Sequence, residues 1–386
     1  MSDQSNRKQS IVTRVAQALH FVEAETGAVV PAIQPAATYA RDENYEVRKP
    51  YWYRRDGSQT TAHAEAIIAE LENGAESLLF SSGMSACTAV IEHLPTGAHV
   101  VVPKVMYHGV LQQIQNYEKN KRITVSHYTA GNLGELASAV RAGETQLVWV
   151  ETPNNPNWEV TDIAAAAEIA HEVGAKLIAD CTATPPSMTR ALELGADISF
   201  HSATKYLNGH SDITAGVLSV KETGQFWDDI AMVRKLQGTV LHSQDAWLLI
   251  RGMRTLFLRV ERSCKNAMAI ATHFEGHPHI EAVLYPGLAS DPGHEVAKRQ
   301  TGGQFGGMMS IIIKGTEQTA IDVTRFCELF YPATSLGGVE SLVEHRKTVS
   351  GEGFPVHPRL LRLSIGIEEA DDLIYDLEQA LARACG

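Results

Sequence analysis

A chain of 386 residues is longer than one hydrophobic core usually holds, so a large domain with smaller attached pieces is expected. Its 33 Lys and Arg against 45 Asp and Glu give a formal net charge of −12, which argues against nucleic acid or an anionic membrane surface as the main partner, since both reward clustered cations. Apolar residues at 44% and charged residues at 20% are those of an ordinary soluble protein, and no apolar run is long enough to span a bilayer.

The polar opening "MSDQSNRKQS" lacks the apolar centre of a signal peptide. The five cysteines, Cys87, Cys181, Cys264, Cys327 and Cys385, form no C-x-x-C pair. Free thiols in a reducing cytoplasm are the expectation. Residues 1–58 show no regular period and mix prolines, charges and aromatics, as an extended arm that contacts a second subunit would. A helical rhythm follows in "TAHAEAIIAELENG", with Gly74 as its expected C-cap. "ESLLFSS" then reads as a strand, "GMSACTAVIEHL" as a helix, and "HVVVP" and "RITVSHY" as strands. "NLGELASAVRA" is a helix, "TQLVWVET" a strand, "DIAAAAEIAHEVG" a helix, and "KLIAD", "DISFHSA" and "AGVLSV" strands. Short β-branched runs alternating with helices predict an α/β fold, a mostly parallel sheet covered on both faces, over residues 59–248. From "DAWLLIRGMRTLFLRV" onward a long helical stretch precedes "HIEAVLYPG", "GGMMSIIIKG" and a final helix, so residues 249–386 are expected to form a smaller α+β domain.

In an open parallel sheet, ligands bind beyond the carboxyl ends of the strands. "KLIAD" ends there in Asp180, "ESLLFSS" turns into a helix through Ser82, Gly83 and Met84, and "DISFHSATK" runs into Ser202, Thr204 and Lys205. Each residue alone has a plain reading: a cap, a turn glycine, a solvated amine. Together they suggest chemistry. A small-residue turn before a helix N-terminus is an anion site, and flanking hydroxyls add donors. Lysine condenses with an aldehyde, and a carboxylate keeps a heteroaromatic nitrogen protonated. An aldehyde, a phosphate and a pyridine nitrogen in one molecule point to pyridoxal 5′-phosphate.

With "LFSSGMSA", "ETPNNPNWEVTDI", "LELGADISFHSATKYLNGHSD", "DAWLLIRGMRTL", "YPGL", "GGMMS", "SLGGVESLVEH" and "LRLSIGIE" in order, the chain resembles the Cys/Met-metabolism group of pyridoxal-phosphate enzymes from about residue 27 onward. That group includes cystathionine γ-synthase, cystathionine lyases and methionine γ-lyase. The resemblance implies the pyridoxal-phosphate-dependent transferase fold of type I, assembled as a cytoplasmic homotetramer, a dimer of dimers. It assigns Lys205 to the Schiff base and proton shuttling, Asp180 to the pyridine nitrogen, and Tyr107 to ring stacking and proton transfer. Gly83, Met84, Thr182, Ser202 and Thr204 would help hold the cofactor, with Tyr53 and Arg55 reaching the phosphate of the neighbouring subunit. Arg362 would clamp the substrate carboxylate beside Ser335 and Asn155. The implied reaction is γ-elimination or γ-replacement on an L-amino acid carrying a leaving group on Cγ.

The sequence also departs from the group's pattern. Ser58-Gln59-Thr60 replaces Asn-Pro-Thr, Cys181 and Ala183 replace Asn and Phe, and His108 and Val110 stand where Gly and Thr are common. Thr334 replaces a Glu poised for a distal amine, which argues against a plain cystathionine enzyme and makes C–O cleavage of canavanine an alternative. Three lesser signals are weighed down. The histidines 273, 277 and 279 lack an evident fourth metal ligand. "GGQFGG" has no strand–helix setting for a dinucleotide, and Cys181 reads as a packing thiol. An oxidoreductase on a doubly wound sheet and a non-catalytic protein of this fold are the rival classes; colour of the purified protein would separate them.

Overall fold

The computed structural model describes residues 9–48, 50–351 and 354–386, so the polar opening residues 1–8 lie outside the described ones. Seven strands come first: β1 (Glu76–Phe80), β2 (Ala98–Pro103), β3 (Ile123–Tyr128), β4 (Thr145–Glu151), β5 (Lys176–Asp180), β6 (Ile198–His201) and β7 (Gly216–Val220). They form one sheet in the order β1-β7-β6-β5-β4-β2-β3. The run from β6 through β5, β4 and β2 to β3 is parallel, and β7 is antiparallel to both its neighbours.

The sheet is covered on both faces, which explains why its strands read as continuous apolar runs. Alternate residues of a strand point to opposite faces. In β4, Leu147 and Trp149 join a core with the helices Gly83–Glu92 and His108–Lys119. Val148 and Val150 join another with the helix Ile163–Glu172.

A second, five-stranded sheet comprises β8 (Ile280–Leu284), β9 (Met308–Ile313), β10 (Tyr331–Pro332), β11 (Leu342–His345) and β12 (Leu360–Ser364), in the order β10-β11-β12-β9-β8. Its apolar face packs on the helices Leu256–Phe274, Glu317–Phe326 and Ala370–Cys385.

Several expectations change in detail. The arm holds a short helix, Ile11–Ala16, capped by Ser10. The first long helix, Gln59–Glu72, ends on Asn73 rather than Gly74, because Asn73 takes the left-handed conformation (φ 53°) that asparagine tolerates. The stretch "DAWLLIRGMRTLFLRV" divides into helices Ser243–Met253 and Leu256–Phe274. Helices His108–Lys119, Gln225–Gln237 and Glu317–Phe326 were not legible as elements. The first of these buries only Val110, Leu111 and Ile114, a stripe too narrow to stand out among polar residues.

Ser58 and Thr60 find structural uses. Ser58 caps Gln59–Glu72 in a reciprocal box with Thr61. Thr60 Oγ1 accepts from Gln34 N and donates to Ala32 O, tying the arm to this helix.

Candidate active site

Because β2, β4, β5 and β6 run parallel, their carboxyl ends lie along one edge, and the loops leaving them meet the loops around β11 and β12 in a cavity of about 420 Å³. It is lined by every sequence-predicted site residue except Tyr53 and Arg55. Tyr53 bridges to Thr38 and carries the Arg55 guanidinium over its ring at 4.8 Å, away from this cavity.

Lys205 follows β6 by four residues. Its Nζ donates to Ser335 Oγ at 2.8 Å. Burial first, and then the Arg362 charge, lower its pKa from 10.5 to about 8, so the neutral, nucleophilic amine becomes accessible near physiological pH. Ser335 is held with φ 99°, a strained backbone for a residue with a side chain. Its carbonyl accepts from Arg362 Nη2 at 2.9 Å, so Ser335 joins the lysine to the arginine.

The helix Gly83–Glu92 points its N-terminus into the same cavity. The first amides of a helix have no intrahelical acceptor. Ser82 Oγ takes the N–H of Ser85, which leaves those of Gly83 and Met84 for an anion. A Cβ at Gly83 would come within 3.2 Å of Ser202, so a bare glycine keeps this wall open. Thr182 accepts from Ser202 N at 2.9 Å and fixes that loop. Thr204 lines the cavity, and its hydroxyl also donates to Ala215 O at 3.2 Å and accepts from Ala215 N. Thr204 therefore acts here as a brace between the lysine loop and β7.

Two carboxylates stand side by side, since Glu151 and Asp180 are register partners at the ends of β4 and β5. Burial raises both pKa values, and for Glu151 the neighbouring Asp180 charge adds to it. Each is held by amides. Asp180 Oδ1 accepts from Thr182 N at 2.9 Å. Glu151 accepts from Tyr107 N at 2.6 Å and Asn155 N at 2.7 Å. Glu151 thus positions two residues assigned to the site, a role the sequence reading missed although it ends an otherwise apolar strand. Tyr107 begins the helix His108–Lys119, and burial raises its phenol pKa, so it is a proton donor before it is a base.

On the opposite wall, Arg362 of β12 faces Glu344 of β11 across the sheet. Glu344 Oε2 lies 2.8 Å from Arg362 Nη2 and 3.0 Å from Arg346 Nη1. Arg362 Nη1 also reaches Asn155 Oδ1 at 3.4 Å. Glu344 and Arg346 are both buried and line the cavity, yet neither was singled out from sequence. The available signal was a carboxylate inside "SLVEH", where a buried strand would otherwise be apolar.

Cys181 is fully buried in the core under the sheet, with its thiol pKa pushed well up by that burial. His273 and His277 both pair with Glu378, and no group of three or more metal-binding side chains occurs among the described residues. Gly302 of "GGQFGG" ends the helix His294–Thr301 and leads toward β9, the reverse of a dinucleotide turn.

Comparison with known proteins adds to this geometry. Residues 13–382 match the sequence profile of the Cys/Met metabolism PLP-dependent enzymes. The chain is 39% identical to a cystathionine β-lyase of Coxiella burnetii, over 99% of this chain and 100% of that one. It is 38% identical to a cystathionine γ-synthase of Mycobacterium tuberculosis, with the same coverage. Its fold superposes with a TM-score of 0.94 on cystathionine γ-synthase from Xanthomonas oryzae pv. oryzae in complex with cystathionine, at 34% identity over 98% of this chain and 99% of that one.

Proposed function

The chain belongs to the Cys/Met metabolism PLP-dependent enzyme family, and from that premise we propose that it breaks the Cγ–heteroatom bond of an L-amino acid, eliminating the γ-group or replacing it. The observation that carries this reading is Lys205: an amine with a lowered pKa, in one cavity with a strand-end carboxylate, an open helix N-terminus and a buried arginine.

The residues fit pyridoxal phosphate. The amides of Gly83 and Met84 and the Ser202 hydroxyl would take its phosphate, Asp180 its ring nitrogen, Tyr107 its ring face and Lys205 its aldehyde, while Thr182 holds Asp180 and the Ser202 loop in place. The bound cofactor supplies the electron sink that stabilises negative charge on the amino acid. Tyr53 and Arg55 serve the phosphate of a neighbouring subunit in a cytoplasmic homotetramer.

Arg362 holds the substrate α-carboxylate as a bidentate fork, with Asn155 and Ser335 fixing the guanidinium from either side. That grip orients the Cα–H bond toward Lys205. Lys205 removes the Cα proton and carries protons onward at Cβ and the γ-group, a task suited to an amine whose pKa lies near the working pH. Tyr107, whose partial covering raises its phenol pKa, donates to the departing γ-heteroatom. Relatives of similar identity carry the names β-lyase and γ-synthase, so the leaving group is a matter for this cavity's own side chains. Thr334 offers a neutral hydroxyl there.

The test is a substrate panel. O-succinylhomoserine, cystathionine, methionine and canavanine are each assayed for ketoacid, ammonia and homoserine. Turnover of at least one, lost with the visible absorption band in Lys205→Ala, is expected. A yellow protein that turns over none of them would refute the γ-cleavage reading.

A further inference from the structure

One wall of the cavity sets two guanidiniums against a single carboxylate. Arg346 follows β11 directly and is 1% exposed. Its Nη1 donates to Glu344 Oε2 and its Nη2 to His108 Nδ1, each at 3.0 Å. Its Nε is buried without a partner among the described residues. A guanidinium carries five N–H groups and no acceptor, so three of them have no partner among the described residues. Glu344 Oε2 serves both guanidiniums, while its Oε1 is buried without a partner among the described residues. Two buried cations lean on one carboxylate.

The bond to His108 fixes the imidazole as well. Arginine can only donate, so Nδ1 must be the unprotonated acceptor. Burial first, and then the Arg346 charge, lower the pKa of the ring, which favours its neutral form. The proton therefore sits on Nε2, which has no partner among the described residues and, unlike Arg346 Nε, is not one of the atoms sealed from solvent. His108, Arg346 and Thr334 line the same cavity as Tyr107, whose ring lies 4.9 Å from that of His108.

We propose that Arg346 and His108 form the subsite for the far end of the γ-substituent and select a carboxylate there over an ammonium or guanidinium. The inference rests on the γ-cleavage reading and names its substrate class: L-amino acids whose γ-group ends in an anion. A distal carboxylate meets the spare Nη1 and Nη2 N–H groups of Arg346 and the Nε2–H of His108. A distal cation meets two guanidiniums of its own sign against the one carboxylate of Glu344.

The test uses three six-carbon amino acids that lack a γ-leaving group, so binding is read without turnover. The holoenzyme's visible band is titrated with L-2-aminoadipate, L-norleucine and L-lysine, which end in carboxylate, methyl and ammonium. The wild type is expected to bind L-2-aminoadipate at least about tenfold more tightly than the other two, the scale of one charge-assisted hydrogen bond. Arg346→Met should erase that preference, Arg346→Lys should restore part of it, and His108→Phe should weaken it. The band itself reports that each variant holds cofactor. Equal affinities in the wild type, a preference for lysine, or an Arg346→Met protein that keeps the carboxylate preference would overturn the proposal. Failure of the γ-cleavage reading appears elsewhere, as absence of product from the substrate panel.

Discussion

The reactivity of Lys205 can be tested before any substrate is known. Moving an ammonium from its ordinary value of 10.5 to about 8 costs the charged form roughly 3 kcal/mol. Near pH 7 about a tenth of Lys205 is then neutral, roughly 300-fold more than of a solvated lysine. The causes, largest first, are burial and the Arg362 charge, with Glu344 opposing them. Cofactor-free protein mixed with pyridoxal phosphate should therefore gain colour at a rate that rises with pH and levels off above about 8. The sign of the Arg362 contribution gives a second arm. Removing that positive charge in Arg362→Met relieves repulsion of the ammonium, so the midpoint should move upward. Stopped-flow absorbance across pH 6 to 10 measures both. A midpoint in the ordinary lysine range, or one that Arg362→Met shifts downward, would refute the reasoning.

Asp180→Asn removes the carboxylate assigned to the ring nitrogen while keeping an acceptor for Thr182 N, so kcat should fall at least about a hundredfold with cofactor still bound, as read by steady-state rates and the visible band. Ser58→Ala deletes the cap of Gln59–Glu72 and should cost about 1 kcal/mol, seen as a lower denaturation midpoint with little change in KM. Thiol labelling of the native protein should reach Cys327 and Cys385, which are partly exposed, well before the buried Cys87 and Cys181; early modification of Cys181 would contradict its placement in the core. Glu344→Gln strands two buried guanidiniums and should destabilise the fold by about 3 kcal/mol, measured by urea unfolding of the holoenzyme.

Much of the molecule could be read before any coordinates. The alternation of β-branched runs with helices implied the covered sheet, because strands buried on both faces must be apolar throughout. Strand ends carrying Asp180, Ser202 and Lys205 implied a site, because parallel strands gather their carboxyl ends on one edge. Local chemistry of this kind lies within a few residues of chain. The wall formed by Glu344, Arg346, Arg362 and His108 depends on something else. His108 and Arg346 are 238 residues apart, and their bond exists only because the helix after β2 and the turn after β11 face one cavity. Glu151 likewise becomes a partner of Asp180 only through the register of β4 on β5. Charges in sequence show their neighbours along the chain, whereas pKa, tautomer and pairing are set by neighbours across space, and the fold alone supplies those.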